Sequence, residues 1–394
     1  MRALENLVVL DLTHVIAGPF CTQMLGDMGA SVVKVERLGR GDHSRAWSPK
    51  WNGIACAFLA FNRNKRSLAI DLKQPAGADV IRRLADKADV IIESLRPGSA
   101  DKLGLAYDDV ASRNPRVVYC SISGYGQTGP NAPLGGYDLI AQAYGGLMSV
   151  TGEPDGPHVR AGYSVFDMFA GMAAYGGIMT ALLQRERSGR GQYVETSLLD
   201  GAVAQMSYHA VGYLATGDVP RPLGTASPSL VPYQLFQASD AVFILGCNND
   251  DAYRRLCTAL ERMDLATDAR FATNADRLKN RASLIEILGD IFRTRAASEW
   301  VPLLNANQVP ASRINTVADV VQDSQVAARG LLQNIPHSTI EGLQAPASPF
   351  QFVGALPVTP TSPPSVGEHT DEILGELGYT AEEVSALRRA NVVG

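Results

Sequence analysis

The sequence has few charged residues, and none of its charge is concentrated in one long cluster. Charged side chains make up 19% of 394 residues, with 35 Lys and Arg against 40 Asp and Glu, for a formal charge of −5. Soluble domains usually reach about a quarter. A mildly acidic chain without a long basic cluster is a poor candidate for nucleic-acid binding. Hydrophobic residues make up 46%, which excludes a disordered tail protein and permits a large core.

The five cysteines and six histidines form no recognisable disulfide or metal pattern. Five is an odd number, no CxxC pair occurs, and the histidines show no HExxH spacing. These gaps disfavour a disulfide scaffold and predict that the protein has no metal site. A GxSxG elbow and a P-loop are also missing, so the sequence lacks the signatures of the enzyme classes that use them.

No segment resembles a targeting or membrane-spanning sequence. The apolar run Leu7–Leu12 near the N-terminus is shorter than a signal peptide requires, and no cleavage site of small residues follows it. No stretch approaches the roughly 18 uninterrupted apolar residues of a membrane span. We therefore expect a cytoplasmic protein that binds neither membranes nor nucleic acid.

Short apolar strands alternate with helical segments over the first two hundred residues, a pattern typical of a doubly wound, Rossmann-like α/β domain. The predicted strands are Leu7–Leu12, Ser31–Glu36, Ser67–Leu72, Asp89–Glu93, Arg116–Ser121 and Gln192–Ser197. The predicted helices are Pro19–Met28, Pro75–Lys87, Ala100–Arg113, Gly135–Val150, Asp167–Ser188 and Leu198–Leu214. In such a sheet, ligands bind at the carboxyl ends of the strands.

A dinucleotide-binding enzyme is disfavoured by the turn after the first strand. Glu36 ends the second strand, as an acidic residue does in many dinucleotide folds. The turn over residues 13–19 nevertheless lacks the GxGxxG glycines that allow a backbone to approach a pyrophosphate. The sheet could still bind an adenine nucleotide in another way.

Proline and glycine mark a change of organisation after residue 216. Residues 217–230 are rich in proline, glycine and serine, and we interpret them as a linker. A hairpin about Ser239 and Asp240, charged helices and one more strand within Pro310–Thr316 follow. We expect a small α+β domain over residues 231–319, inserted into a large domain formed by residues 1–216 and 320–394.

Two features stand out as candidates for chemistry. Asp167 begins a long helix that is thinned by glycine and alanine, where a carboxylate is stabilised by the helix dipole. The alternative is that Asp167 is only an N-cap, a common role for aspartate. The segment Asn62–Ser67 is the densest positive stretch in the chain, and together with Arg37 it suits a phosphate-bearing ligand. Its alternative is a solvated basic loop.

Several motifs in order along nearly the whole chain resemble the family III CoA-transferases, which include formyl-CoA transferase. Each motif is weak alone, but their order is specific. They are Leu10–Val15, Ala17–Pro19, Leu25–Ala30, Val33–Glu36, Asn62–Ser67, Glu93–Gly98, Gly124–Gly126, Arg187–Gln192 and Gly367–Thr370.

The resemblance implies that Asp167 is a catalytic nucleophile that forms a mixed anhydride with the donor acyl group and then an aspartyl-CoA thioester. Coenzyme A is then a substrate, and no permanently bound cofactor is expected. The residues that the resemblance places along CoA or near its thioester are His14, Ile16, Arg37, Lys65, Arg66, Ser94, Leu95, Lys102, Tyr137 and Asp138. It also implies an interlocked, ring-like homodimer, which proline-rich segments 217–230 and 356–364 would suit.

The sequence departs from formyl-CoA transferase at two places. Ile16 replaces a glutamine, and no run of four glycines occurs in the small domain, which argues against the formyl/oxalate substrate pair. The related α-methylacyl-CoA racemases use a histidine where this chain has Tyr137. Because the reference pKa of tyrosine is about 10, it is a poor base near pH 7, and transfer is favoured over racemisation.

Three functions therefore remain open, of which CoA transfer is the leading one. The others are an α-methylacyl-CoA racemase or epimerase and a non-catalytic CoA-binding protein. For a transferase, the resemblance to the dicarboxylate branch implies succinyl-CoA as donor and a C4–C6 dicarboxylate such as itaconate, glutarate or a malate-like acid as acceptor. Arg160 is a candidate clamp for the distal carboxylate of that acceptor.

Overall fold

The computed structural model describes residues 2–352 and 359–394. The strands are β1 Val8–Leu12, β2 Ser31–Glu36, β3 Lys50–Trp51, β4 Ile54–Ala55, β5 Lys65–Ala69, β6 Val90–Glu93, β7 Val118–Ser123, β8 Tyr193–Ser197, β9 Tyr233–Gln237, β10 Val242–Gly246, β11 Ala311–Arg313, β12 Leu332–Asn334 and β13 Gln344–Pro346.

The helices account for most of the remaining regular structure, together with two short 3₁₀ turns at His43–Ala46 and Asp101–Leu103. They are α1 Ala17–Asp27, α2 Cys56–Phe61, α3 Pro75–Lys87, α4 Tyr107–Arg113, α5 Asp138–Tyr144, α6 Leu147–Val150, α7 Val165–Ser188, α8 Leu198–Thr216, α9 Asp250–Ala259, α10 Met263–Thr267, α11 Asn274–Lys279, α12 Arg281–Phe292, α13 Ala297–Ala306, α14 Val317–Val321, α15 Ser324–Ala328, α16 Thr370–Glu376 and α17 Ala381–Arg389.

A six-stranded parallel sheet organises the first part of the chain. Its strands run in the order β5-β2-β1-β6-β7-β8, and every neighbouring pair is parallel. Numbered within the sheet, this is the order 3-2-1-4-5-6 of doubly wound folds. The predicted fold class is confirmed, and the carboxyl ends of all six strands meet at one edge.

Helices cover both faces of this sheet, which explains why its central strands read as continuous apolar runs. On one face, apolar residues of α1, α5, α7 and α8 pack with Val9, Val90 and Val118. On the other face, α3, α4, α16 and α17 pack with Leu10 and Ile91. The C-terminal helices thus complete the same layer as helices from the first half of the chain.

Helix α7 lies directly against α1. A Cβ at Gly171 would come within 2.6 Å of the Ala17 carbonyl oxygen, so this position requires glycine for the close approach. By length and composition alone, α7 is the one described helix apolar enough to cross a membrane. Phe166, Ala174 and Ile178 instead pack in the core beside the sheet, as the core helix of a globular domain does.

The chain divides into two compact units. The first comprises residues 1–147, 160–218 and 327–394, and the second residues 148–159 and 219–326. In the second unit, the antiparallel sheet β11-β10-β9 packs with α9–α13 around Phe243, Phe292 and Trp300. The sequence division at 216, 231 and 319 stays a prediction about domains, and it did not foresee that residues 148–159 group with the second unit. The predicted linker 356–364 lies partly outside the described residues.

Glycines at positive φ explain where predicted helices break. The helix expected over 100–113 is a 3₁₀ turn and then α4, separated at Gly104 with φ +66°. The segment 135–150 is divided between α5 and α6 by the Gly145–Gly146 pair, with Gly146 at φ +87°. A final helix likewise divides at Gly378, φ +89°. Such residues end helices because they adopt the left-handed conformation without strain.

Candidate active site

Asp167 is the third residue of α7. Ser164 occupies the N-cap position, yet its side chain makes no capping bond to the helix backbone. Its hydroxyl instead hydrogen-bonds the Asp167 carboxylate. Asp167 is therefore not the N-cap of this helix, and its carboxylate is held by a hydroxyl one turn earlier in the chain.

The cap of α7 comes from another helix. Asp138 begins α5 and is only 6% exposed. One of its carboxylate oxygens accepts hydrogen bonds from the backbone N–H groups of Phe166 at 2.7 Å and Asp167 at 3.3 Å. Asp138 thereby satisfies donors that a helix start leaves unpaired, and it places a second negative charge beside Asp167.

This environment makes Asp167 an unusually basic carboxylate. Burial raises its pKa to about 7, and the charge of Asp138 acts in the same direction, whereas the hydrogen bond from Ser164 opposes the increase. A half-buried carboxylate whose pKa lies near neutrality is typical of functional sites.

The loop between β1 and α1 adopts a strained conformation beside this helix start. Val15 has φ +74°, which a β-branched residue rarely adopts. Its N–H donates to both carboxylate oxygens of Asp42 at 3.2 Å. Lys34 pairs with Asp42 at 2.9 Å and donates to the carbonyl oxygen of Thr13 at 3.0 Å. Two buried charges therefore fix both halves of the loop.

The loop in turn fixes the start of α1. The first hydrogen bond of that helix runs from Phe20 N–H to the Ile16 carbonyl at 2.8 Å, so the N–H groups of Ala17 and Gly18 precede the ladder. Asp167 and Gly171 lie one turn apart on one face of α7, and Gly171 meets Ala17. The nucleophile candidate therefore lies on the side of α7 that faces the start of α1.

Lys65 and Arg66 are the first two residues of strand β5 and do not lie in a phosphate-binding loop. Lys65 is fully enclosed, and its ammonium group donates to Asp11 at 3.3 Å and to Pro19 O and Asn62 at 2.9 Å each. These three bonds use all three of its hydrogens. The structure thus gives Lys65 no donor for a phosphate.

Arg66 is bound within the fold as well. Its guanidinium donates to Glu372 at 2.7 Å and to Glu376 at 2.6 Å, both on α16, and to Ser31 at 3.1 Å. It attaches α16 to the edge strand β5 of the sheet.

Other predicted residues lie in segments that follow the carboxyl ends of β1, β2 and β6. The His14 N–H donates to Ser94 Oγ at 3.2 Å, which joins the loops after β1 and β6, and the Leu95 N–H donates to Glu93 at 2.6 Å. Arg37 follows β2 and is exposed, and Lys102 is exposed in the 3₁₀ turn after β6.

Two further basic residues in such segments escaped the sequence interpretation. Lys73 follows β5 and Arg96 follows β6, and both are exposed. Their position after strands of a parallel sheet was the signal that could have found them. Tyr137, immediately before α5, is 69% exposed, and Ile16 is partly buried where α1 begins.

The described residues contain no group of three or more His, Cys, Asp or Glu side chains arranged to hold a metal ion. The side chains and backbone of the site offer a basic carboxylate, a nearby helix start, and exposed arginine and lysine residues that follow the strands.

The chain resembles known proteins over its full length. The model of CoA-transferase family III matches residues 4–370. Succinyl-CoA:glutarate CoA-transferase of Mus musculus is 39% identical, covering 100% of this chain and 91% of that protein. Succinyl-CoA–D-citramalate CoA-transferase of Chloroflexus aurantiacus is 33% identical, covering 100% and 98%.

Solved structures show the same relationship. A CaiB/BaiF family protein of Brucella suis is 38% identical and superimposes with a TM-score of 0.84, covering 95% of this chain and 99% of that one. A protein of Mycobacterium tuberculosis is 31% identical with a TM-score of 0.85, covering 94% and 98%. The chain belongs to CoA-transferase family III and is a CoA-transferase.

Proposed function

We propose that this enzyme moves CoA from succinyl-CoA to a short dicarboxylic acid, with Asp167 as the nucleophile. The observation that carries the proposal is the environment of Asp167, whose pKa is raised to about 7 by burial and by Asp138. Such a carboxylate is more nucleophilic than an ordinary one and still ionised in part at neutral pH.

The reaction follows as four acyl transfers. A carboxylate oxygen of Asp167 attacks the thioester carbon of the donor, the C–S bond breaks, and CoA leaves as thiolate. The thiolate attacks the Asp167 carbonyl of the resulting anhydride and releases the donor acid. The acceptor carboxylate then attacks the aspartyl-CoA thioester, and the expelled thiolate attacks the acceptor carbonyl, which regenerates Asp167. No ATP is needed because every intermediate is itself an activated acyl group.

Each attack places negative charge on a carbonyl oxygen. The Ala17 and Gly18 N–H groups at the start of α1 are suited to stabilise that charge, because preorganised backbone donors act strongly in a water-poor site. The N–H groups of Phe166 and Asp167 are unsuited, because Asp138 already occupies them. This division supports α1 as the source of oxyanion stabilisation.

We place CoA along the carboxyl edge of the sheet. His14 lies in the loop after β1, and Ser94 and Leu95 lie in the loop after β6. The hydrogen bond from the His14 N–H to Ser94 Oγ connects these two loops. Exposed Arg37 and Lys102 suit the phosphates, since guanidinium and ammonium groups both bind phosphate oxygens. The internal ion pairs of Lys65 and Arg66 argue against these residues as CoA ligands, so we do not extend the proposal to them.

The names of the relatives support a dicarboxylate acceptor. Their names pair glutarate, D-citramalate or mesaconate with succinyl-CoA or succinate as the other substrate. Arg160, exposed and seven residues before Asp167, offers a cation for the carboxylate that does not react. We therefore propose that Arg160 confers a preference for diacids.

With succinyl-CoA as donor, glutarate, itaconate and malate should accept CoA better than butyrate. Replacing Arg160 with Gln should lower kcat/KM for the diacids by roughly 10- to 100-fold, the loss expected for one charge-assisted hydrogen bond, and leave butyrate unchanged. Steady-state assays over this panel measure both effects. A variant that loses transfer to butyrate alone would contradict the clamp, and a wild type inactive with every diacid would contradict the acceptor class.

We also propose that the active form is an interlocked homodimer. The second half of α8 exposes Tyr208, Val211, Tyr213 and Leu214, and neighbouring exposed apolar side chains of this kind are typical of protein–protein contacts. Sedimentation that finds only a 42.1 kDa species at assay concentrations would refute this assembly.

A further inference from the structure

Gln142 is a buried amide whose two ends bind different parts of the site. It lies on α5 and is 0% exposed. Its Oε1 accepts from the Ala161 N–H at 2.8 Å. Its Nε2 donates to the second carboxylate oxygen of Asp138 and to the Tyr163 carbonyl at 3.4 Å.

Both of these connections lead to Asp167. Ala161 and Tyr163 belong to the short segment that precedes α7. This segment ends at Ser164, whose hydroxyl donates to the Asp167 carboxylate. Asp138 caps the first turn of α7. The i, i+4 spacing of Asp138 and Gln142 places both side chains on one face of α5, so one helix holds both the first turn of α7 and the segment that precedes it.

An apolar side chain could fill the same buried volume as Gln142 without the free-energy cost of removing an amide from water. Removing an amide from water costs free energy unless its hydrogen bonds are replaced, whereas a fully bonded polar network makes a structure more rigid. Gln142 has partners at both ends. Gln23 on α1 is also buried, but its Oε1 has no hydrogen-bond partner within residues 2–352 and 359–394.

We propose that Gln142 is a positioning residue for the nucleophile: its amide holds the Asp138 carboxylate and the 161–163 backbone in fixed relation, so that Asp167 stays directed at the thioester carbon. This inference rests on the proposed function and deepens it. It concerns the geometry of attack and not the binding of CoA, because the hydrogen-bond partners of Gln142 lie on α5 and in the segment before α7.

Gln142→Met removes both hydrogen-bonding ends at nearly constant length. We expect kcat to fall by roughly 10- to 100-fold, as a displacement of about 1 Å at the reacting atoms would cause, while KM for succinyl-CoA changes little. Gln142→Glu keeps the acceptor for Ala161 but opposes a second carboxylate to Asp138, and it should lose kcat as well. Single-turnover formation of the hydroxylamine-trapped Asp167 adduct should slow in parallel.

Gln23→Met is the matched control, because it makes the same chemical change at a buried glutamine outside the network, and its kcat should stay near that of the wild type. A folded Gln142→Met enzyme with wild-type kcat would overturn the inference and leave the proposed function standing. Equal losses in Gln142→Met and Gln23→Met would overturn it too, since both would then report general packing. If Gln142→Met does not fold, Gln142→Glu decides by the same comparison. Failure of the wild type to form the adduct would instead reject the proposed function.

Discussion

Replacing Asp167 with Asn should reduce CoA transfer by roughly 10⁴-fold or more, the scale on which loss of a covalent nucleophile is felt. The amide has the same shape as the carboxylate and can still accept the hydroxyl of Ser164, so the fold should persist. It cannot form the anhydride, because an amide oxygen is a poor nucleophile. Transfer from succinyl-CoA to glutarate, followed by chromatography of both CoA esters, measures the loss.

The same carboxylate should set the pH dependence of the wild-type enzyme. Burial and the charge of Asp138 raise the pKa of Asp167 to about 7, and the ionised form is the nucleophile. Activity should therefore rise as the pH increases from 6 to 8, since the ionised fraction grows over that range.

Hydroxylamine added after succinyl-CoA should mark Asp167, as mass spectrometry of the digested protein would detect.

Asp200 provides a closely matched control. It follows Ser197 by three residues at the start of α8, just as Asp167 follows Ser164 at the start of α7. Asp200 is exposed, and Ser197 uses its side chain to cap the Asp200 N–H at 3.0 Å. Asp200→Asn should retain nearly full activity. Normal transfer by Asp167→Asn, or an unmarked Asp167 during wild-type turnover, would contradict the covalent mechanism.

The fold class was readable from the sequence because both faces of the parallel sheet are covered. Strands such as Ser31–Glu36 are buried on both sides and therefore appear as apolar runs, and helix Pro75–Lys87 was predicted with its observed bounds. The hairpins β3–β4 and β12–β13 were not foreseen, because strands of two or three residues show no periodicity.

The site was readable only in part, because its geometry depends on distant contacts. Asp167 was singled out by its place at the front of a long helix and by the family resemblance, but its environment depends on Asp138, which lies 29 residues earlier in the chain. A two-residue boundary error also mattered. Strand β5 was predicted to begin at Ser67 and begins at Lys65. Lys65 and Arg66 therefore belong to the sheet and not to the ligand-binding loop that was assumed, and carboxylates pair with both of them.

The paired charges beneath the β1–α1 loop should matter most for stability. Lys34 and Asp42 are both fully buried at the side chain and lie 2.9 Å apart. Burial lowers the pKa of Lys34, but Asp11, Asp42 and Glu36 outweigh that effect and leave it above the ordinary value. Burial likewise raises the pKa of Asp42. The charge of Lys34 and the hydrogen bonds that Asp42 accepts outweigh this effect, so the pKa of Asp42 lies below its ordinary value. Lys34 is therefore the main charge that keeps Asp42 ionised, and Asp42 is one of three carboxylates that keep Lys34 charged.

Lys34→Met should destabilise the protein by about 3–5 kcal/mol, the cost of leaving one member of a buried pair uncompensated. The side chain keeps most of its length, so lost packing contributes less than the lost charge. The midpoint of urea unfolding, taken at one fixed protein concentration, should fall accordingly. Lys87→Met, at an exposed lysine of α3, is the control and should change stability by less than about 0.5 kcal/mol.

The double variant Lys34→Met/Asp42→Asn separates charge from packing. Asparagine keeps an oxygen for the N–H groups of Val15 and Ser44, which Asp42 now accepts at 3.2 and 2.8 Å. Because no unpaired charge remains, the double variant should be more stable than Lys34→Met alone, although it carries one more substitution. If the two losses simply add, the pair is not what holds the loop. Recovery of stability without recovery of kcat would show that the charged pair also aligns the start of α1 with Asp167.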